Sequence, residues 1–312
     1  MTPRRKKLLL LGFTMAAIIA ATIFLTRSTE PRYGGHSLSY WVMIYVEKHN
    51  DDAATKQADD AVRQIGTKAI PFLVQWIAEE PHGTNILTAI RWPIDWLRRT
   101  LNPDANWSAQ DKLSFRPDAA CRAFEVLSHQ AIIPTPALVR ILNHSRSEET
   151  AIRAAFALAS LGKAGLLPLT EALTNSNPTV RTAAATGFWQ LGANAKMSIP
   201  ILIQTLDDKN ERVRWAAFES LRILQPDSSL VIPAMIAHLA SEKPTERIWA
   251  AIVLSPYESL AKPAVPALLR ALEKAKTSTD YSERGMISGA IRRIDPEALT
   301  NATQSLTNAP PR

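Results

Sequence analysis

The sequence predicts an all-α fold, an α-α superhelix of about six helical-hairpin units behind one amino-terminal transmembrane helix. Three observations carry that prediction: a pattern repeating with a shift of 33 residues, prolines recurring at positions 136, 168, 200, 233 and 266, and an uncharged apolar run from Leu8 to Thr26. A period of about 30 to 40 residues marks an array in which each unit packs on its neighbours, not one central core.

The body has a globular composition, 46% apolar and 21% charged over 312 residues. Its formal charge of +7 is unevenly placed. Arg4, Arg5, Lys6, Lys7 and Arg27 supply +5 before residue 28, which leaves 31 basic against 29 acidic side chains in the remainder. A body this close to neutral argues against nucleic acid as a partner. Cys121 is the single cysteine, so no disulfide can form within the chain.

The run 8–26 is nineteen residues long, or about 28 Å of helix, close to the hydrocarbon thickness of a bilayer. Residues 1–7 form a basic flank that keeps the amino terminus in the cytoplasm and places the body on the extracytoplasmic side. The lipid bilayer is therefore an expected partner through residues 8–26, read as a signal-anchor. Signal cleavage is the alternative and would leave the body secreted or periplasmic. The run is longer than an ordinary signal h-region, and the residues after it offer no small-x-small cleavage site. Residues 27–37 follow as a juxtamembrane linker, 38–308 as the solenoid with an irregular insertion at about 81–118, and 309–312 as a tail.

Two adjacent copies define the repeat. Superposing residues 177–208 on the next unit places Val180 on Val213, Arg181 on Arg214, Ala184 on Ala217, Leu191 on Leu224 and Pro200 on Pro233. One further step reaches Arg247, Ala250, Leu254 and Pro266, while Ala154, Leu158, Gly162 and Pro168 stand one step back. Pro136 and Pro71 mark earlier copies, and the stretch around Arg284 tapers into a partial cap.

Each copy reads as two helices. Val180, Ala184, Phe188 and Leu191 recur at three-to-four-residue spacing and make one apolar stripe on the first helix. A turn at Leu-Gly follows, and the proline is expected in the first turn of the second helix, where its missing N–H costs nothing. Asn175, Asn177, Asp208 and Asn210 lie between units as caps for the next helix.

With these residues in place the chain resembles the HEAT-repeat family, whose pattern runs Asp or Asn, Val-Arg, Ala-Ala, Leu-Gly, then Pro-x-Leu. The resemblance spans roughly residues 50 to 295 and is strongest over 177–272. The segment from Gly35 to Trp41 resembles the lead-in of membrane-anchored bacterial HEAT-repeat proteins. In such proteins the arginine equivalent to Arg181, Arg214, Arg247 and Arg284 pairs with inter-unit turn residues, which implies an internal structural ladder. The second helices usually line the concave face. The candidate binding positions are accordingly Gln75, Arg140, Gln204 and Arg270, each four residues after a periodic proline, with Ala237 at the same place and His238 beside it. A solvated helix face accounts for the same pattern.

Motifs that carry chemistry are sparse. Ser160-Leu-Gly-Lys163 matches a Ser-x-x-Lys nucleophile pattern, but without the accompanying Ser-Asp-Asn or Lys-Thr-Gly it reads as a repeat turn. The acidic stretch from Asn50 to Asp60 has Lys56 where a calcium loop needs glycine and reads as a solvated helix start. The six histidines are scattered, and none forms a metal-ligand spacing with another or with Cys121. Cys121 takes a position where other units carry alanine and reads as a small core residue. Trp92, Trp96 and Trp107 in the insertion read as end packing or as a partner hot spot. The expected function is non-catalytic: a membrane-tethered scaffold for a protein or peptide partner, with no cofactor and no metal. The alternative is a bilin-lyase-like HEAT enzyme or enzyme subunit, since some HEAT-like proteins belong to that class.

Overall fold

Small polar side chains start four of the first helices among the described residues, Asp51, Ser147, Asn177 and Asn210. Asn177 accepts a hydrogen bond from the Thr179 backbone N–H at 3.0 Å, and Asn210 does the same for Arg212 at 2.9 Å. Each satisfies a donor that the first helical turn leaves unpaired. Asn175 and Asp208 act one step earlier, ordering the turn by accepting from the backbone N–H groups of Asn177 and Asn210.

The computed structural model describes residues 30–48, 50–79, 109–128, 135–276 and 281–300. The expected membrane span 8–26, its basic flank, Trp92, Trp96, Trp107 and the tail lie outside these residues. Among the described residues no helix is long and apolar enough to cross a membrane.

A two-residue hairpin, β1 (Arg32–Tyr33) against β2 (His36–Ser37), leads the described chain. Gly34 and Gly35 turn it at φ of 56° and 82°, backbone that glycine alone adopts without strain. α1 (Leu38–Glu47) follows, capped by Ser37 and fixed by a hydrogen bond from the Trp41 indole to the Tyr33 carbonyl at 3.1 Å. Leu38, Trp41 and Val42 join the common core. Part of the expected linker is thus a folded lead-in that covers the first unit.

Six helix pairs and a final helix follow among the described residues. They are α2 (Asp52–Ile65) with α3 (Ile70–Ile77), α4 (Ala109–Leu127) with α5 (Thr135–His144), and α6 (Glu148–Ala159) with α7 (Lys163–Ala172). Then come α8 (Pro178–Leu191) with α9 (Ile199–Gln204), α10 (Glu211–Leu224) with α11 (Ser228–His238), α12 (Pro244–Leu254) with α13 (Val265–Lys274), and α14 (Tyr281–Ile294). First helices stack on one another, α6 on α8, α8 on α10, α10 on α12 and α12 on α14. Val180, Ala184, Phe188 and Leu191 are all buried on this stack.

Two details depart from the sequence expectation. The insertion was expected to run to residue 118, yet residues 109–118 belong to α4, with Pro117 inside the helix. The repeating prolines do not all fall in a first turn either. Pro71, Pro200 and Pro266 do, because a 3-10 segment precedes the helix (Gly66–Ala69, Gly192–Ser198 and Ser255–Ala264). Pro168 and Pro233 lie inside α7 and α11, which start earlier: the residues that form a 3-10 segment elsewhere continue there as α-helix.

Candidate interaction surface

The buried arginines define what the array uses for itself. Arg181 donates to both carboxylate oxygens of Asp208, Nε at 2.6 Å and Nη2 at 2.9 Å, while Nη1 donates to the carbonyls of Asn175 and Ser176. One side chain thereby ties α8 to the turn before α10. Arg214 lies 3.1 Å from Glu246 of α12 and donates to the Asp208 carbonyl at 2.8 Å. Arg247 pairs with Glu283 of α14 at 2.6 Å, a bridge with arginine 4% and glutamate 0% exposed.

Glu246 and Glu283 stand at the place where Val180 and Val213 stand in earlier units, directly before the ladder arginine. The last two units thus replace an apolar core residue with an acid that receives the preceding unit's arginine. Burial opposes ionisation of Glu246, but hydrogen bonds from Ser241 and Lys243 and the charges of Lys243 and Arg214 outweigh it and hold the carboxyl below its usual range. Asp208 is likewise held low, the hydrogen bonds from Arg181 and the Asn210 backbone outweighing burial.

Arg284 does not continue the ladder: it is exposed, and its neighbour Glu283 points inward instead. The rung missed in the sequence is Arg153, which is 5% exposed and pairs with Asp118 of α4 at 2.8 Å and with Glu149 on its own helix. The signal was present, since Ile152-Arg153 stands 28 residues before Val180-Arg181, off the 33-residue shift.

The second helices leave their polar stripe uncommitted. Gln75, Arg140, Gln204 and Arg270 are exposed, and none has a side-chain partner among the described residues. His238 differs. It packs edge-on against Phe218 at 5.2 Å, and its Nε2 stands 4.0 Å from Asp207. Burial lowers its pKa, aided by Arg214 and opposed by Asp207 and Glu246. It is a packing residue between units, not part of the exposed stripe.

The other candidates have structural uses. Asp51 caps α2 by accepting from the Ala54 backbone N–H at 3.0 Å. Asp59, expected in a solvated helix start, is buried and pairs with Arg122 of α4 at 3.2 Å. Ser160 Oγ donates to the Phe156 carbonyl at 3.0 Å, and Lys163 is exposed beyond a turn in which Gly162 has φ of 57°. Burial, reinforced by Asp118, pushes the Cys121 thiol up to about 12, so it is not a thiolate at neutral pH.

Stacked helical pairs with an internally consumed arginine ladder and an unpaired second-helix stripe define a helical-repeat array. Residues 166–255 match the family described as HEAT repeats, so the chain carries HEAT repeats over that span. Similar solved structures include Kap121p, at 13% identity and a TM-score of 0.49 over 86% of this chain and 30% of that one. Another is Kap121p bound to RanGTP, at 14% identity and a TM-score of 0.46 over 88% of this chain and 32% of that one. The chain spans less than a third of the length of these proteins. No curated protein matches it.

Proposed function

We propose that the chain is a non-catalytic, membrane-tethered HEAT-repeat scaffold that presents its second helices to a protein or peptide partner on the extracytoplasmic side. One observation carries the reading: the buried arginines are consumed in bridges between units, whereas Arg140, Arg270, Gln75 and Gln204 are exposed without partners among the described residues. Cationic and amide side chains on a preformed helical face suit a partner segment with carboxylates and backbone carbonyls to offer. Tethering rests on the apolar run 8–26 and its basic flank.

Two experiments test the parts separately. Arg140→Glu with Arg270→Glu should abolish cross-linking to the partner while the melting temperature stays unchanged; retained cross-linking would remove the stripe from consideration. For sidedness, Cys121→Ser with one cysteine added at the carboxyl terminus allows labelling of whole cells by an impermeant maleimide. Label on full-length membrane-bound protein supports the topology, and label only after lysis reverses it.

A further inference from the structure

Between the fourth and fifth units the array leaves a cavity of about 680 Å³, a size at which small-molecule sites are found. Two helix ends open it. α8 stops at Leu191 with Gly192 at φ of 52°, and α10 stops at Leu224 with Gln225 in the left-handed conformation, φ 43° and ψ 59°. The same chain position is glycine in units three and four, Gly162 and Gly192, with ψ of −119° and −127°, whereas unit five places the Gln225 side chain there in the left-handed region. Gln225 lies on the cavity wall.

The lining is mainly apolar, with Trp189, Ile199, Ile223 and Leu230 forming much of it. Ile223 and Leu230 remain 37% and 47% exposed, apolar surface that gains by being covered. The polar groups divide by whether they are already engaged. Asp227 is engaged, because its carboxylate caps α11 by accepting from the Ser229 backbone N–H at 2.9 Å. Lys196 has no ion-pair partner among the described residues, and the indole Nε1 of Trp189 is buried without an acceptor. Of the uncommitted groups Lys196 is a cation, the Trp189 indole a donor, and the Gln225 amide both donor and acceptor.

We propose that this cavity binds a small free amphipathic carboxylate, with its chain or ring against Trp189, Ile199, Ile223 and Leu230 and its carboxylate on the Lys196 ammonium. Lys196 disfavours a cationic headgroup, and one oxygen of Asp227 is already taken by the α11 cap. The site is independent of the second-helix stripe.

Three probes with one apolar body separate the headgroup: 4-phenylbutyrate, 4-phenylbutanol and 4-phenylbutylamine. Each is titrated calorimetrically at neutral pH into the full-length chain in zwitterionic lipid nanodiscs, with empty discs subtracted. The carboxylate should bind saturably at one site and at least about tenfold more tightly than the amine. Lys196→Glu, an exposed change that leaves the melt intact, should reverse that order. Leu230→Trp should crowd the apolar wall and weaken binding of all three probes at unchanged melting temperature. Absence of saturable carboxylate binding, equal binding of carboxylate and amine, or indifference to Lys196→Glu would each overturn the proposal. Arg140→Glu with Arg270→Glu should leave probe binding unchanged, so loss of the partner surface and loss of this site are distinguishable.

Discussion

At the α6–α8 junction the helices meet through the smallest side chains available, whereas at the α12–α14 junction a buried arginine reaches from one helix to a glutamate on the next. In the first, Ala151, Ala154 and Ala155 are buried on one helix and Ala183, Ala184 and Ala185 on the other, and a Cβ added at Gly187 would come within 3.0 Å of the Ala155 Cβ. In the second, Arg247 and Glu283 are joined at 2.6 Å in a site closed to water. Arg153 explains the difference. It turns back toward Asp118, whereas Arg181, Arg214 and Arg247 all reach forward. The ladder therefore changes direction between α6 and α8, and no buried arginine among the described residues crosses that junction. Close backbone approach and stacking of Phe156 on Trp189, at 5.6 Å, take its place. One repeat architecture thus holds neighbouring units together in two ways, by close packing of small side chains alone at α6–α8 and with buried arginine bridges added from α8 onward.

Breaking a buried charge pair on one side only should give the largest effect. Glu283→Ala leaves Arg247 buried without its counter-ion and should cost about 3–5 kcal/mol, read as lost hydrogen-exchange protection in α12 and α14. Replacing both, as Arg247→Met with Glu283→Leu, should restore most of that stability. A double variant no more stable than the single would show that the bridge holds the junction by more than charge compensation.

Gly187→Leu should come next, at about 1–3 kcal/mol from overpacking, with protection lost in α6 and α8 and retained in α14. Arg153→Ala should loosen the α4–α6 boundary instead. If it loosened α6 against α8, the reversal of the ladder would be of no energetic consequence.

Acid should act on the charge-bridged half before the alanine-packed half. Asp208 and Glu246 have folded pKa values below their ordinary 3.8 and 4.5, so their stabilising contribution is complete above those values and is lost as pH falls through the lowered ones. His238 adds a loss that starts at milder acidity, because its folded pKa lies below the ordinary 6.5 and the unfolded chain takes up the proton first. Asp208→Asn should flatten the dependence below about pH 4, and His238→Gln the part just below neutral, in melts followed against pH. The smallest effect should be that of Arg212→Ala. Its pair with Glu148, at 2.6 Å, spans from α10 to α6, but the arginine is 71% exposed, so the cost should stay under about 1 kcal/mol.

The repeat, its period and the apolar stripe of each first helix were legible in the sequence because they depend on local spacing. Arg181, Arg214 and Arg247 stand out by recurring at the 33-residue shift, whereas Arg153 stands 28 residues before Arg181 and falls off that period. Arg284 recurs in the string but not in the packing. His238 looked like its exposed neighbours because one residue's offset on a helix moves a side chain by roughly 100°, and only the positions of Phe218 and Asp207 decide which way that offset faces.

The sequence by itself determined the helical pairs, their caps and their order, since periodicity, Asn and Asp caps and proline positions act over a few residues. The tertiary structure alone decided which acid each arginine reaches, where the ladder reverses, and that Gly192 and Gln225 open a cavity between two units. Those outcomes depend on distances between elements some 30 residues apart, set by how closely alanines and glycines allow the helices to approach.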